Sequence, residues 1–158
     1  MVTPRIELLA EKKLVGCQLE MSISEDRTVE LWKKFGPRIK ELNNRVSHDR
    51  ISLQIYPPEY HQKFHPSNKF VKWAAVEVVD FKDIPMGLDS LILSAGQYAV
   101  FDYKGKPSDI APIFQYIFYQ WLPYSKYCID DRPQFELIGS SYSSTYSEEE
   151  IWIPIKHK

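Results

Sequence analysis

The sequence is short of several things, and each shortage closes off a class of protein. Its 158 residues hold two cysteines, Cys17 and Cys128. That is too few for a disulfide framework and fits two free thiols in a reducing cytoplasm. The six glycines are scattered, and none forms a phosphate-cradling loop. No apolar run approaches the roughly 18 residues of a membrane-spanning helix. Neither sign of charge prevails. Lys and Arg number 20, Asp and Glu 21, and the net charge is -1, where a dedicated nucleic-acid binder carries a basic surplus. The opening Met1-Val2-Thr3-Pro4-Arg5 leads to Glu7, Glu11, Lys12 and Lys13, which lacks the apolar centre of a signal peptide. No Ser-His-Asp order or paired-cysteine motif stands out.

What is present is an ordinary globular balance, 44% hydrophobic and 26% charged, and the length fits one domain over residues 1–158. Aromatics reach 14%, with ten Tyr, eight Phe and four Trp. Tyr and Trp join an apolar body to a polar tip, so they serve equally as core and as walls of a ligand site.

Periodicity supplies the elements. Residues 5–10 read as a short strand. From Lys13 to Ile23, Val15, Cys17, Leu19, Met21 and Ile23 alternate with smaller or polar residues, the period of a strand. Ser24-Glu25-Asp26 reads as a helix start, and Val29, Trp32, Phe35, Ile39 and Leu42 recur at helical spacing. Gly36-Pro37 falls inside that pattern and predicts a kink or two short helices. Strands follow at 51–56 and 70–81, separated by a loop at 59–68. The second half repeats the order, with strands at 90–94 and 97–104. A helix then carries Ile110, Ile113, Phe114, Ile117, Phe118 and Trp121 on one stripe and ends at Leu122-Pro123. A loop leads to the last strands at 134–138 and 150–155. Residues 5–81 and 88–156 therefore read as two strand–strand–helix–strand–strand repeats. Together they predict an α+β domain: an antiparallel sheet, two helices on one face, and a ligand cleft on the internal twofold axis.

The second half carries a resemblance. Ala95-Gly96-Gln97-Tyr98-Ala99-Val100-Phe101 is followed by Gly105, Tyr119-Gln120-Trp121-Leu122-Pro123, Arg132-Pro133-Gln134-Phe135-Glu136-Leu137 and Glu150-Ile151-Trp152-Ile153-Pro154-Ile155. This order resembles the GyrI-like (gyrase-inhibitor-like) small-molecule-binding domain, also called the AraC-type effector-binding domain. The first half fits mainly in topology, plus Tyr56, Trp73-Ala74-Ala75-Val76-Glu77-Val78 and Ile84-Pro85. The resemblance implies a bacterial, cytoplasmic sensing domain like that of multidrug-responsive transcription activators. It implies a pocket for hydrophobic, often cationic, aromatic compounds, with the glutamate after the aromatic of the penultimate strand inside it. Here that residue is Glu136. The sensing domain uses the whole length, which leaves no room for a helix-turn-helix reader, so no direct nucleic-acid contact is expected.

Individual residues carry two readings. Simple alternation puts Gln134 and Glu136 toward water and Phe135 and Leu137 inward. The resemblance puts Glu136 in an apolar cleft, where burial disfavours its charge and a cation relieves the cost. Tyr56 and Trp73 are core aromatics or pocket walls. Tyr146 is an exposed loop residue or a lid over a bound ring. Ile110, Phe114 and Phe118, with Trp32 from the first helix, form core stripes whose nearest members also wall the cleft. His61 and His65 have a metal-like spacing, but Pro58 and Pro66 make the segment a loop, so no metal site is expected. No cofactor is expected either.

Three functions follow from the resemblance. The first is a protein that binds or senses lipophilic cations, as a monomer or homodimer. The second is a hydrolase of electrophilic natural products that uses Glu136 as general base, with Tyr56 or Tyr146 as donor. The third is a protein-binding module, acting on a gyrase-like partner or a separate regulator.

Overall fold

Alternating side chains dictate the strands. In the second strand Val15, Cys17 and Met21 join one core while Leu14 joins another on the opposite face. A computed structural model describes residues 2–140 and 142–158. The first repeat contains β1 (Arg5–Leu9), β2 (Lys12–Ser22), α1 (Thr28–Phe35), β3 (Arg50–Ile55) and β4 (Lys69–Val78). The second contains β5 (Asp89–Leu93), β6 (Gly96–Gly105), α2 (Ala111–Tyr116), α3 (Leu122–Tyr124), β7 (Tyr127–Ile129), β8 (Gln134–Ile138) and β9 (Ser147–His157).

Both helical segments break where proline dictates. α1 gives way at Gly36-Pro37 to a 3-10 turn, Gly36–Glu41. In the second repeat a π-helical turn, Ile117–Trp121, joins α2 to α3. Pro123 has no N–H to return to residue 119 and its ring crowds that carbonyl. The turn before it widens accordingly, a distortion frequent at functional sites. Pro123 lies within the final turn, so the helix ends at Tyr124 and not at Leu122-Pro123. β7 is a further departure. The sequence reads as loop there, yet Tyr127, Cys128 and Ile129 pair with His157, Lys156 and Ile155.

All strand pairs are antiparallel, in the order β1-β6-β9-β8-β3-β4-β2-β5, with β7 beside the end of β9. The order reads the same in reverse when β1 exchanges with β5, β2 with β6, β3 with β8 and β4 with β9. The internal twofold axis therefore crosses the β3–β8 pair. The opening strands are traded between repeats. β1 pairs with β6, Arg5 opposite Val100, and β5 pairs with β2, Asp89 opposite Gly16. α1 covers a core containing Phe35, Met21 and Val76. The α2 segment covers one containing Phe101, Ile117 and Ile153. The other sheet face buries Leu14, Leu53, Trp73, Tyr98 and Phe135.

Two contacts hold the sheet in this shape. Gly16 lets β2 approach β4 so closely that a Cβ would meet the Ala74 carbonyl oxygen at 2.0 Å and Ala75 Cα at 2.7 Å. Arg132 clasps three segments. It donates from Nη2 to the carbonyls of Gln97 (2.7 Å) and Ile155 (3.1 Å), from Nε to Asp130 (2.8 Å), and lies 4.7 Å over the Tyr98 ring. Gly16→Ala places its methyl against backbone that cannot step aside. We expect a loss of about 2–3 kcal/mol or more in urea unfolding, the cost of overpacking a well-filled site. A change below about 0.5 kcal/mol, the range of an ordinary surface substitution, would show that β2 and β4 can separate freely.

Candidate ligand-binding site

β3 and β8 meet on the axis with Ser52 opposite Glu136 and Gln54 opposite Gln134. Ile51, Leu53 and Phe135 belong to the core away from the helices. Alternation therefore turns Ser52, Gln54, Gln134 and Glu136 to the helix-covered face. All four are buried, Glu136 to 8% exposure. This face lies between the two helical segments and is a polar floor inside an apolar layer.

The floor is incompletely paired. Gln54 Nε2 donates to Glu136 Oε1 at 3.2 Å. Glu136 Oε2, Gln54 Oε1 and Gln134 Oε1 are buried with no partner among the described residues. Lys72, opposite Gln54 on β4, is the nearby cation, and its Nζ donates to Thr28 Oγ1 at 3.0 Å.

Aromatic rings gather beside this floor. Tyr56 shares the face of Gln54, two residues earlier. Its ring centroid lies 4.5 Å from Tyr60, 4.8 Å from His61 and 5.3 Å from Phe70. The loop after Tyr56 belongs to the first repeat, but His61 stacks on Phe118 of the second at 5.4 Å and 19°. Phe118 is carried by the π-helical turn. The loop and the far helical segment are thus joined ring to ring. Tyr60 OH and His61 Nε2 are also buried without partners among the described residues. A cleft of about 290 Å³ opens at the ends of β3 and β8, with Tyr56, His61, Asp131, Arg132 and Gln134 among its walls. Gln134 stands in the wall of that cleft, and Glu136, two residues on, lies deeper on the same face.

Burial governs the titration of the group. Desolvation pushes the Glu136 carboxyl from 4.5 up to about 7. The Lys72 charge and the Gln54 and Gln134 amides oppose this, and Glu149 adds to it. Tyr56 is pushed well above its usual range, first by burial and then by the Glu136 charge and Tyr60. Burial raises Tyr60 and lowers His61.

Of the residues singled out from the sequence, Glu136, Tyr56 and Phe118 come together at this place. Ile110 and Phe114 pack half-buried on the second-repeat core, and Trp32 lies 6.2 Å from Phe35 over the first. These three belong to the two helix-covered cores on either side of the β3–β8 pair. Trp73 is not brought to the site. β4 shows Phe70, Lys72 and Ala74 to the helices and Trp73 to the opposite core. Tyr146 is also elsewhere, 40% exposed and donating to Glu148 Oε1 at 2.7 Å. Gln54, Gln134, Tyr60 and His61 went unforeseen. The usable signal was the shared face of Gln54 with Tyr56 and of Gln134 with Glu136. His61 and His65 do not converge. His65 Nδ1 lies 2.7 Å from Ser67 Oγ, and among the described residues no three His, Cys, Asp or Glu side chains are placed to hold a metal ion.

Comparison with known proteins agrees with this architecture. Residues 3–156 match the GyrI-like small molecule binding domain. The transcriptional regulator BrlR of Pseudomonas aeruginosa is 32% identical over 106 residues, 66% of this chain and 36% of BrlR. The chain thus spans about a third of that regulator. The structure of SAV2435 bound to tetraphenylphosphonium superposes with a TM-score of 0.75 at 21% identity, covering 97% of this chain and 93% of that one. The C-terminal domain of EcmrR gives 0.75 at 14%, covering 100% and 99%. At those identities the two structures establish the fold.

The raised carboxyl has a consequence for stability. Between about pH 4.5 and 7 the folded chain keeps a proton that the unfolded chain releases, so this group destabilises the fold as pH rises through that window. The contribution lost is about 3 kcal/mol. We expect Glu136→Gln to reduce the fall in urea-measured stability between pH 5 and pH 8 by about that amount relative to wild type. Identical pH profiles for the two proteins would mean the carboxylate is solvated.

Proposed function

This chain belongs to the GyrI-like small-molecule-binding domain family, and from that premise we propose that it binds hydrophobic aromatic cations, with Glu136 as their counter-charge. The observation that carries this reading is the unpartnered, buried Glu136 Oε2. An ionised carboxylate in such a place is costly, and a cation delivered to it recovers the cost while a neutral isostere does not. Tyr56, Tyr60, His61 and Phe118 offer ring faces, each worth about 0.5–2 kcal/mol to a cation placed over it. Ile110, Phe114 and Trp32 line the approach from the helices. The cation found on SAV2435 is of the same chemical class, which supports the assignment.

Recognition by rings and one charge is permissive, so micromolar affinities for several scaffolds are expected. The likeness to part of BrlR supports a role as the effector-binding part of transcription regulation.

The test is isothermal titration of the wild type and Glu136→Gln with tetraphenylphosphonium and neutral triphenylphosphine oxide. The substitution should weaken the cation about tenfold or more and the neutral compound less than about twofold, as expected for loss of a buried charge partner. Equal weakening of both would remove Glu136 from the role of counter-charge. Wild-type affinity for the cation should also climb from pH 6 to pH 8 and then level off, because the carboxyl at about 7 ionises in that interval. A flat profile would count against the ion pair.

A further inference from the structure

Resting on the cation reading, we infer that the site selects cations bearing N–H donors, such as aryl ammonium and amidinium ions, over quaternary ones. The argument comes from which polar atoms are left without partners. Glu136 accepts from Gln54 Nε2 on Oε1. An ionised carboxylate can only accept, so it holds the amide nitrogen of Gln54 toward itself and turns Oε1 of Gln54 away. The result is three buried oxygens, Glu136 Oε2, Gln54 Oε1 and Gln134 Oε1, all unpartnered among the described residues and all acceptors.

These oxygens sit on one face of two adjacent strands, Gln134 and Glu136 two residues apart on β8 and Gln54 opposite Gln134 on β3. Tyr60 OH and His61 Nε2 lie buried nearby in the aromatic cluster and are unpartnered too. The hydroxyl can donate or accept, and so can the imidazole through its choice of tautomer. Among the described residues unpartnered acceptors outnumber unpartnered donors here; Arg132 Nη1, on the wall of the cleft that Gln134 reaches, is a buried donor without a partner. Lys72, the cation on this face, gives one of its three N–H bonds to Thr28.

A quaternary ammonium or phosphonium brings charge and rings but no hydrogen to share. It would answer the Coulomb demand of Glu136 and leave the glutamine oxygens desolvated and unmet, which weakens binding. A primary ammonium carries three N–H bonds and an amidinium four, arranged to reach several acceptors at once. The aryl part of the same molecule would lie among Tyr56, His61 and Phe118. The ligand class is therefore an aromatic amine or amidine, protonated at neutral pH, with its head on the β3–β8 floor.

A matched series tests this on the wild-type protein: 4-phenylbenzylammonium, 4-phenylbenzamidinium, trimethyl(4-phenylbenzyl)ammonium and neutral 4-phenylbenzyl alcohol, each titrated calorimetrically at pH 8. The two donor-bearing cations should bind about tenfold or more tighter than the trimethyl compound, the effect of unmet buried hydrogen bonds. If the trimethyl cation binds as tightly as the ammonium, and both exceed the alcohol, donor selection falls and the cation reading stands. If no cation exceeds the alcohol, both fall. Gln54→Leu and Gln134→Leu should bring the ratio of donor-bearing to trimethyl affinity toward one, whatever they do to the absolute affinity for cations, since both also touch the Glu136 carboxylate. Unchanged selectivity in both variants, with each folded by circular dichroism, would also overturn it.

Discussion

The register of the β3–β8 ladder decides what this molecule has at its centre. Pairing Ser52 with Glu136 and Leu53 with Phe135 sends the carboxylate to the helix side and the phenyl ring to the opposite core. A slip of one residue would exchange them, burying the acid among Leu14, Tyr98 and Trp152 and turning an aromatic toward the helices. Nothing in β8 alone protects against that slip, since Gln134, Phe135 and Glu136 are all buried. The flanking ladders do so. Phe135 stacks on Trp152 of β9 at 5.3 Å, and Leu53 sits opposite Trp73 of β4. Large rings on the far face thus hold the polar floor in place on the near one.

The internal symmetry makes the chemistry at the axis unequal on purpose of sequence, not of fold. The two repeats share strand order and pairing, yet the residues facing each other across the axis are a serine and a glutamate. The first repeat contributes small residues on that face, with Cys17, Ala74 and Ser52 in one cross-strand row. The second contributes Glu136, Ile151 and Phe101 in the continuing row. Small side chains on one side thus face a charge and large apolar groups on the other. The loop after β3 then supplies Tyr56, Tyr60 and His61, and the π-helical turn supplies Phe118.

Much of the architecture was legible in the sequence because period-two alternation is strong in β2 and helical spacing is strong around Trp32 and Phe114. Gly36-Pro37 announced its own break. β7 was not legible, since three residues carry no periodicity and its pairing is decided by the distant end of β9. Trp73 was open to the cleft as well as the core because β4 from Phe70 to Val78 is mostly apolar on both faces with one charge on each, Lys72 and Glu77, so alternation gives no sign of which residues face the helices. Gln54 and Gln134 escaped notice for the opposite reason. Polar residues in an alternating strand are ordinarily read as facing water, and only the helices above them turn that face into an interior. Glu136 itself was reached through family resemblance, and its burial follows from the same covering.

The trading of β1 and β5 between the repeats also dictates an order of events during synthesis. β1 leaves the ribosome before the other described strands, yet among the described residues its one partner strand ends at Gly105, and that strand in turn pairs with β9. The nascent first repeat must therefore wait with β1 unpaired until β6, and then β9, have emerged. Closure of this sheet is a late, long-range event, and a translational pause before β6 would prolong exposure of the unpaired β1 backbone and of Leu9, which the folded chain buries.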